Sequence, residues 1–83
     1  MIVNINQNKT LITLDFRLKE LRVLKEHKEI YFIKLTNTEI ESLNYLWNKD
    51  KQLFLYSVES ILKSFESFKL KLNPLTIKDL LIR

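Results

Sequence analysis

The 83-residue sequence contains no glycine, no cysteine, one proline and one histidine. Without glycine there is no glycine-rich phosphate loop, and no residue that takes positive φ at little cost, so asparagine is expected at the tight turns. Without cysteine there is neither a disulfide framework nor thiolate chemistry, which suits a reducing compartment. One histidine, His27, cannot make a zinc site by itself, and it sits in the charged stretch Glu26-His27-Lys28-Glu29 as an ordinary solvated side chain. No apolar run approaches the roughly 20 residues of a membrane span. The first 16 residues alternate polar and apolar, with none of the continuous apolar stretch of a signal peptide. The expectation is a cytoplasmic protein without membrane contact.

Hydrophobic residues make up 46% and charged residues 29%, a globular rather than disordered mix, and the length admits a single domain, 1–83. The net charge is +4. Residues 1–48 are nearly balanced, with seven Lys/Arg against six Asp/Glu, while residues 49–83 carry seven against four. A basic second half is compatible with nucleic acid.

Hydropathy alternates with period two over Val3–Ile5 and over Ile12–Leu18, then slips phase at Leu21 and Val23. A one-residue slip flips every side chain, so a bulge or tight corner is expected near Lys19-Glu20. Ile30 to Leu35 is β-branched and aromatic. The pattern predicts an antiparallel meander over about 2–6, 11–18, 21–25 and 30–35, with a helix over 14–25 as the competing reading.

At Thr36 the period changes. Thr38 with Glu41 has capping-box spacing, and Ile40, Leu43, Leu46 and Trp47 follow at helical intervals, predicting a helix over 38–48. Asn48 to Lys51 reads as a loop and Leu53-Phe54-Leu55 as an apolar linker. Ser57 is a candidate N-cap for a helix over 57–69 along Val58, Ile61, Leu62 and Phe65. Asn73-Pro74 is a helix-start signal ahead of Leu75, Ile77, Leu80 and Leu81, predicting a third helix over 74–83. The domain is thus α+β: a sheet over 1–35 and a helix-turn-helix-like part over 36–83.

The stretch Leu35-Thr36-Asn37-Thr38-Glu39-Ile40, with Leu43 and Leu46, resembles the start of the first helix of OmpR/PhoB-type winged-helix domains, the effector domains of response regulators. Glu59-Ser60-Ile61-Leu62 with Phe65 is similar to that family's second helix, and Thr76-Ile77 to the opening of its recognition helix. The loop after the first helix departs from the family, as do Leu80 and Ile82 where it has polar residues, and the family's C-terminal wing is missing. The resemblance implies a DNA-binding transcriptional regulator whose helix 74–83 enters the major groove. Thr76, Lys78 and Arg83 would face the groove, and Ser57, Lys63, Lys49 and Lys51 would contact the backbone. RNA polymerase, meeting the segment Ser64–Asn73, and a homodimer partner are the further partners it suggests. No cofactor and no small-molecule substrate are implied.

Two other readings stand beside it. Gln52 to Tyr56 resembles the short peptide that docks on bacterial sliding clamps, although its apolar side chains suit a core equally well. The apolar content also fits a small protein-interaction module, an adaptor or inhibitor docking through an apolar face without DNA. Enzyme chemistry is not expected. Ser57, Ser60, Ser64 and Ser67 have no base partner, and Glu39, Glu41 and Glu59 suit helix N-termini.

Overall fold

The computed structural model describes residues 1–64 and 74–81. Four consecutive hairpin-linked strands come first: β1 Ile2–Gln7, β2 Thr10–Asp15, β3 Glu20–Lys25 and β4 Lys28–Lys34. Two helices follow, α1 Asn37–Lys49 and α2 Lys51–Lys63. A 3₁₀ turn, Ile77–Asp79, leads into a two-residue strand β5, Leu80–Leu81. All strand pairs are antiparallel, in the order β4-β3-β2-β1-β5.

The meander follows from period-two alternation. Val3 and Ile5, Ile12 and Leu14, Leu21 and Val23, and Ile33 all turn to one face and are buried. The phase slip between Leu18 and Leu21 is a corner, and 14–25 is not a helix. Asp15 Oδ1 accepts from the backbone N–H groups of Arg17 and Leu18 at 3.0 Å each, and Lys19 takes φ 58° before β3 begins. A β-bulge between Val23 and Leu24 lets Tyr31 stand opposite Val23 while Glu29 stands opposite Leu24.

Positive φ is taken at Asn8 (54°), Lys19 (58°), Glu26 (52°) and His27 (68°). Asparagine therefore serves at only one of these four positions. In the β3–β4 hairpin both central residues are left-handed, the type I′ geometry that suits the twist of a two-residue loop and ordinarily selects Asn-Gly.

Helix α1 is capped two residues earlier than the Thr38–Glu41 pairing implies. The capping box is Thr36–Glu39: Glu39 N–H donates to Thr36 Oγ1 at 3.1 Å, and Thr36 N–H donates to Glu39 Oε1 at 2.9 Å. The expected loop at 48–51 is a one-residue corner. Asp50 ends α1 by donating its N–H to Leu46 O (2.7 Å) and starts α2 by accepting from Gln52 and Leu53 N–H. Ser57 is consequently no cap. The apolar linker is the first turn of α2, whose buried side Phe54, Leu55, Val58 and Leu62 has helical spacing.

The third helix is not present. Pro74 to Thr76 is without regular structure, and one 3₁₀ turn follows. Asp79 drives this switch: its carboxylate accepts from Thr76 N–H (2.9 Å), and its own N–H donates to Thr76 O (3.0 Å). These local bonds close a single turn. Leu80 then leaves in extended conformation and pairs with Ile5, while Leu81 pairs with Asn4. Ladder bonds to the exposed side of β1 replace the marginal stability of a short isolated helix. The α+β class stands, but the three-helix winged-helix-like arrangement does not. The extension of the second helix to 69 and the segment 65–73 lie outside the described residues, as does Asn73.

One core joins the layers. Phe54 is fully buried, edge-on to Trp47 with ring centroids 5.1 Å apart and stacked on Phe16 at 6.3 Å. Trp47 and Phe54 are thus packing residues, and Leu55 is buried as well.

Candidate functional site

The residues expected at DNA do not share one surface. Lys51 and Lys63 stand at opposite ends of α2, about 18 Å apart along its axis at 1.5 Å per residue. Lys51 Nζ lies 4.2 Å from the centre of the Trp47 ring and donates to Trp47 O at 2.9 Å. Lys63 is ion-paired with Glu59 at 2.7 Å, which holds its ammonium above and the Glu59 carboxyl below their ordinary pKa values, chiefly through their hydrogen bond. Ser57 is half-buried along the shallow groove between α1 and α2. Lys49 is exposed in the last turn of α1. Thr76 is tied to Asp79, and Lys78 is exposed in the 3₁₀ turn. Arg83 lies outside the described residues. Eleven of the fourteen Lys/Arg and nine of the ten Asp/Glu are described, so much of the basic excess resides elsewhere.

The segment from Pro74 to Asp79 is instead fastened to the domain. Gln52 Nε2 donates to Leu75 O (3.1 Å), and Leu75 N–H donates to Glu59 Oε2 (3.3 Å). Gln7 Nε2 reaches both Pro74 O and Asp79 Oδ2 at 3.5 Å. Leu75 is buried beneath these bonds.

The more informative surface lies at the other side of the sheet. Strand β4 pairs only with β3 among the described residues, so its outer edge presents backbone groups with no ladder partner. It is seven residues long, against two for β5 at the opposite edge. Its centre is apolar: Ile30 is 39% and Phe32 47% exposed. Lys28 and Lys34 bracket that centre, the usual placement of charge on an edge that must not aggregate.

The sheet face turned away from the helices continues from this edge. On it Phe32 stands opposite Arg22, which is opposite Thr13, which is opposite Asn4. The guanidinium of Arg22 lies 4.9 Å from the centre of the Phe32 ring. It also bonds Glu29 at 2.9 Å and Glu20 at 3.1 Å, and this raises its pKa, the Glu20 hydrogen bond contributing most. Lys34 lies 4.0 Å from Glu20 and donates to Leu18 O. The cations beside Phe32 are therefore already matched by carboxylates. At the hairpin tips of this face Leu11 and Leu24 floor a depression of about 510 Å³.

Among the described residues no group of three or more His, Asp or Glu could hold a metal ion, and no helix is long and apolar enough to cross a membrane. No family model, curated protein or solved structure matches the chain.

Sequence patterning placed Ile30 and Phe32 in a strand but could not mark them as an edge, because edge position depends on strand order across the whole chain. The pair of lysines at the two ends of the strand was the available signal.

Proposed function

We propose that this chain is a protein-interaction module that binds an extended segment of a partner by strand addition along β4. The observation that carries this reading is the long edge strand β4, which has no second ladder partner among the described residues, with Ile30 and Phe32 exposed at its centre. Backbone hydrogen bonds to an added strand would give affinity, and the alternate apolar side chains would give specificity. The neutralised charge around Phe32 favours a protein over a nucleic acid: a phosphate approaching that ring would meet Glu20 and Glu29 as well as Arg22. The major-groove mechanism has lost its reading helix, and the cations assigned to the backbone are dispersed or occupied.

The test is an amide-resolved NMR titration with extended peptides selected from a random library. Shifts confined to β3 and β4, abolished by Phe32→Lys, support the proposal. Shifts centred on the α1–α2 corner, or binding of duplex DNA that weakens steeply with salt, would replace it.

A further inference from the structure

We infer that the partner strand at β4 can be the β4 of a second copy, paired antiparallel about a two-fold axis through Phe32. This rests on the reading of β4 as a strand-adding edge and names its occupant.

The register follows from the bulge. In an antiparallel pair, opposing residues must turn to the same face of the sheet. From Tyr31 to Lys34 the faces of β4 alternate regularly: Tyr31 and Ile33 lie on the helix side, opposite Val23 and Leu21, and Phe32 and Lys34 on the open side, opposite Arg22 and Glu20. Below Tyr31 the bulge breaks that alternation, so Glu29 stands opposite Leu24 on the open side. A two-fold centred on Tyr31 would set Ile33 against Glu29 of the other copy, and their faces disagree. A two-fold centred on Phe32 keeps the faces matched over the regular stretch. Phe32 then meets Phe32 of the other copy on the open side, and Tyr31 meets Ile33 on the helix side, twice.

Charge agrees with the same register. Lys34 of each copy stands against Ile30 of the other, one residue from Glu29, which is half-exposed and bonds Arg22 at 2.9 Å, so a second cation would join the Arg22–Glu29 pair on each side of the aromatic centre. The two Lys34 side chains are separated by four residues, roughly 13 Å at the rise of a strand. The result is one continuous ten-stranded sheet with both helical layers on the same side. A pairing of five residues per strand, Ile30 to Lys34, is small beside the roughly 1,000 Å² of a stable interface, so the expected dimer is weak and concentration-dependent.

Sedimentation equilibrium across a wide concentration range tests this. The mass is expected to climb from monomer toward dimer, and Phe32→Lys or Ile30→Lys to weaken association roughly tenfold or more, with unchanged circular dichroism and melting temperature. The chain contains no cysteine, so a single introduced one reports the register. Phe32→Cys is expected to oxidise to a disulfide-linked dimer, because directly paired Cα atoms lie about 4.5–5.5 Å apart. Ile30→Cys, offset by four residues, is not. A monomer at every concentration, or cross-linking through Ile30→Cys as ready as through Phe32→Cys, overturns the inference. If the chain stays monomeric while a selected peptide still shifts β4 amides, the second copy is wrong and the edge reading survives. If neither binds, both fall.

Discussion

Glu26 and His27 hold left-handed backbone with full side chains, a conformation that costs roughly 1–2 kcal/mol per residue. The turn is retained by the hairpin around it, including the bond from Glu26 N–H to Lys9 O at 3.1 Å. Replacing the pair with Asn-Gly gives the turn its preferred residues. Among the described residues the ion pair given up is Lys9–Glu26, at 3.8 Å between exposed side chains. Glu26→Asn with His27→Gly is expected to raise stability by about 1–2 kcal/mol, or several degrees in melting temperature. Chemical denaturation of both proteins checks it. Glu59 works in the opposite sense. It accepts from Lys63 and from the backbone of buried Leu75, and its pKa is lowered in the folded chain. A lowered carboxylate pKa contributes stability that is full above its unfolded value and disappears as pH falls through the folded one. Glu59→Ala is expected to cost about 1–2 kcal/mol near neutrality, by loss of a charged acceptor. The gap from the parent should close below the ordinary value of 4.5 as both proteins lose the interaction, and thermal unfolding against pH reads this directly.

At the scale of the elements, Asp50 is the hinge of the helical layer. It is C-cap of one helix through its backbone N–H and N-cap of the next through its carboxylate, so a single residue sets the corner between them. Asp50→Ala is expected to cost about 1–2 kcal/mol, at the upper end of cap losses, whereas Ser57→Ala, tested by the same melt, should cost less because Ser57 caps nothing. The meander was legible in the sequence because period-two alternation and a phase slip are local signals. The first helix was legible for the same reason, apart from a capping pair read two residues late. The start of α2 was hidden because Leu53-Phe54-Leu55 is a continuous apolar run, and helical spacing shows only when Phe54 and Leu55 are joined to Val58 and Leu62. The tail misled because Asn-Pro followed by apolar residues starts a helix as readily as it leads to a 3₁₀ turn. The deciding influences were Asp79 bonding back to Thr76 and the free side of β1, and the second is a tertiary fact.

For the whole molecule, one small core carries the stability. Phe54 touches both helices' apolar side and, through Phe16, the β2–β3 corner. Phe54→Ala is expected to cost about 3–5 kcal/mol, a large fraction of the roughly 5–15 kcal/mol available to a domain of any size. Its unfolding midpoint should fall accordingly. The DNA expectation came from net charge and from a resemblance carried by short motifs, at Leu35–Leu46, at Glu59–Phe65 and at Thr76-Ile77, and neither specifies a surface. Charge pairing is set by the fold: Arg22 is enclosed by Glu20 and Glu29, which are near it in space through β3 and β4. The candidate surface was invisible for a related reason, since which strand forms the edge is decided by the order β4-β3-β2-β1-β5.

Amide hydrogen exchange along β4 in dilute solution tests the central claim most directly. An open edge has amides directed alternately to β3 and to solvent, so alternate β4 amides should exchange nearly as fast as turn amides while those between them match β2 and β3. Raising the concentration, or adding a selected strand-like peptide, should slow the fast set. Uniform protection of every β4 amide in the dilute, unpartnered chain would mean that the edge is already covered, and would contradict the account.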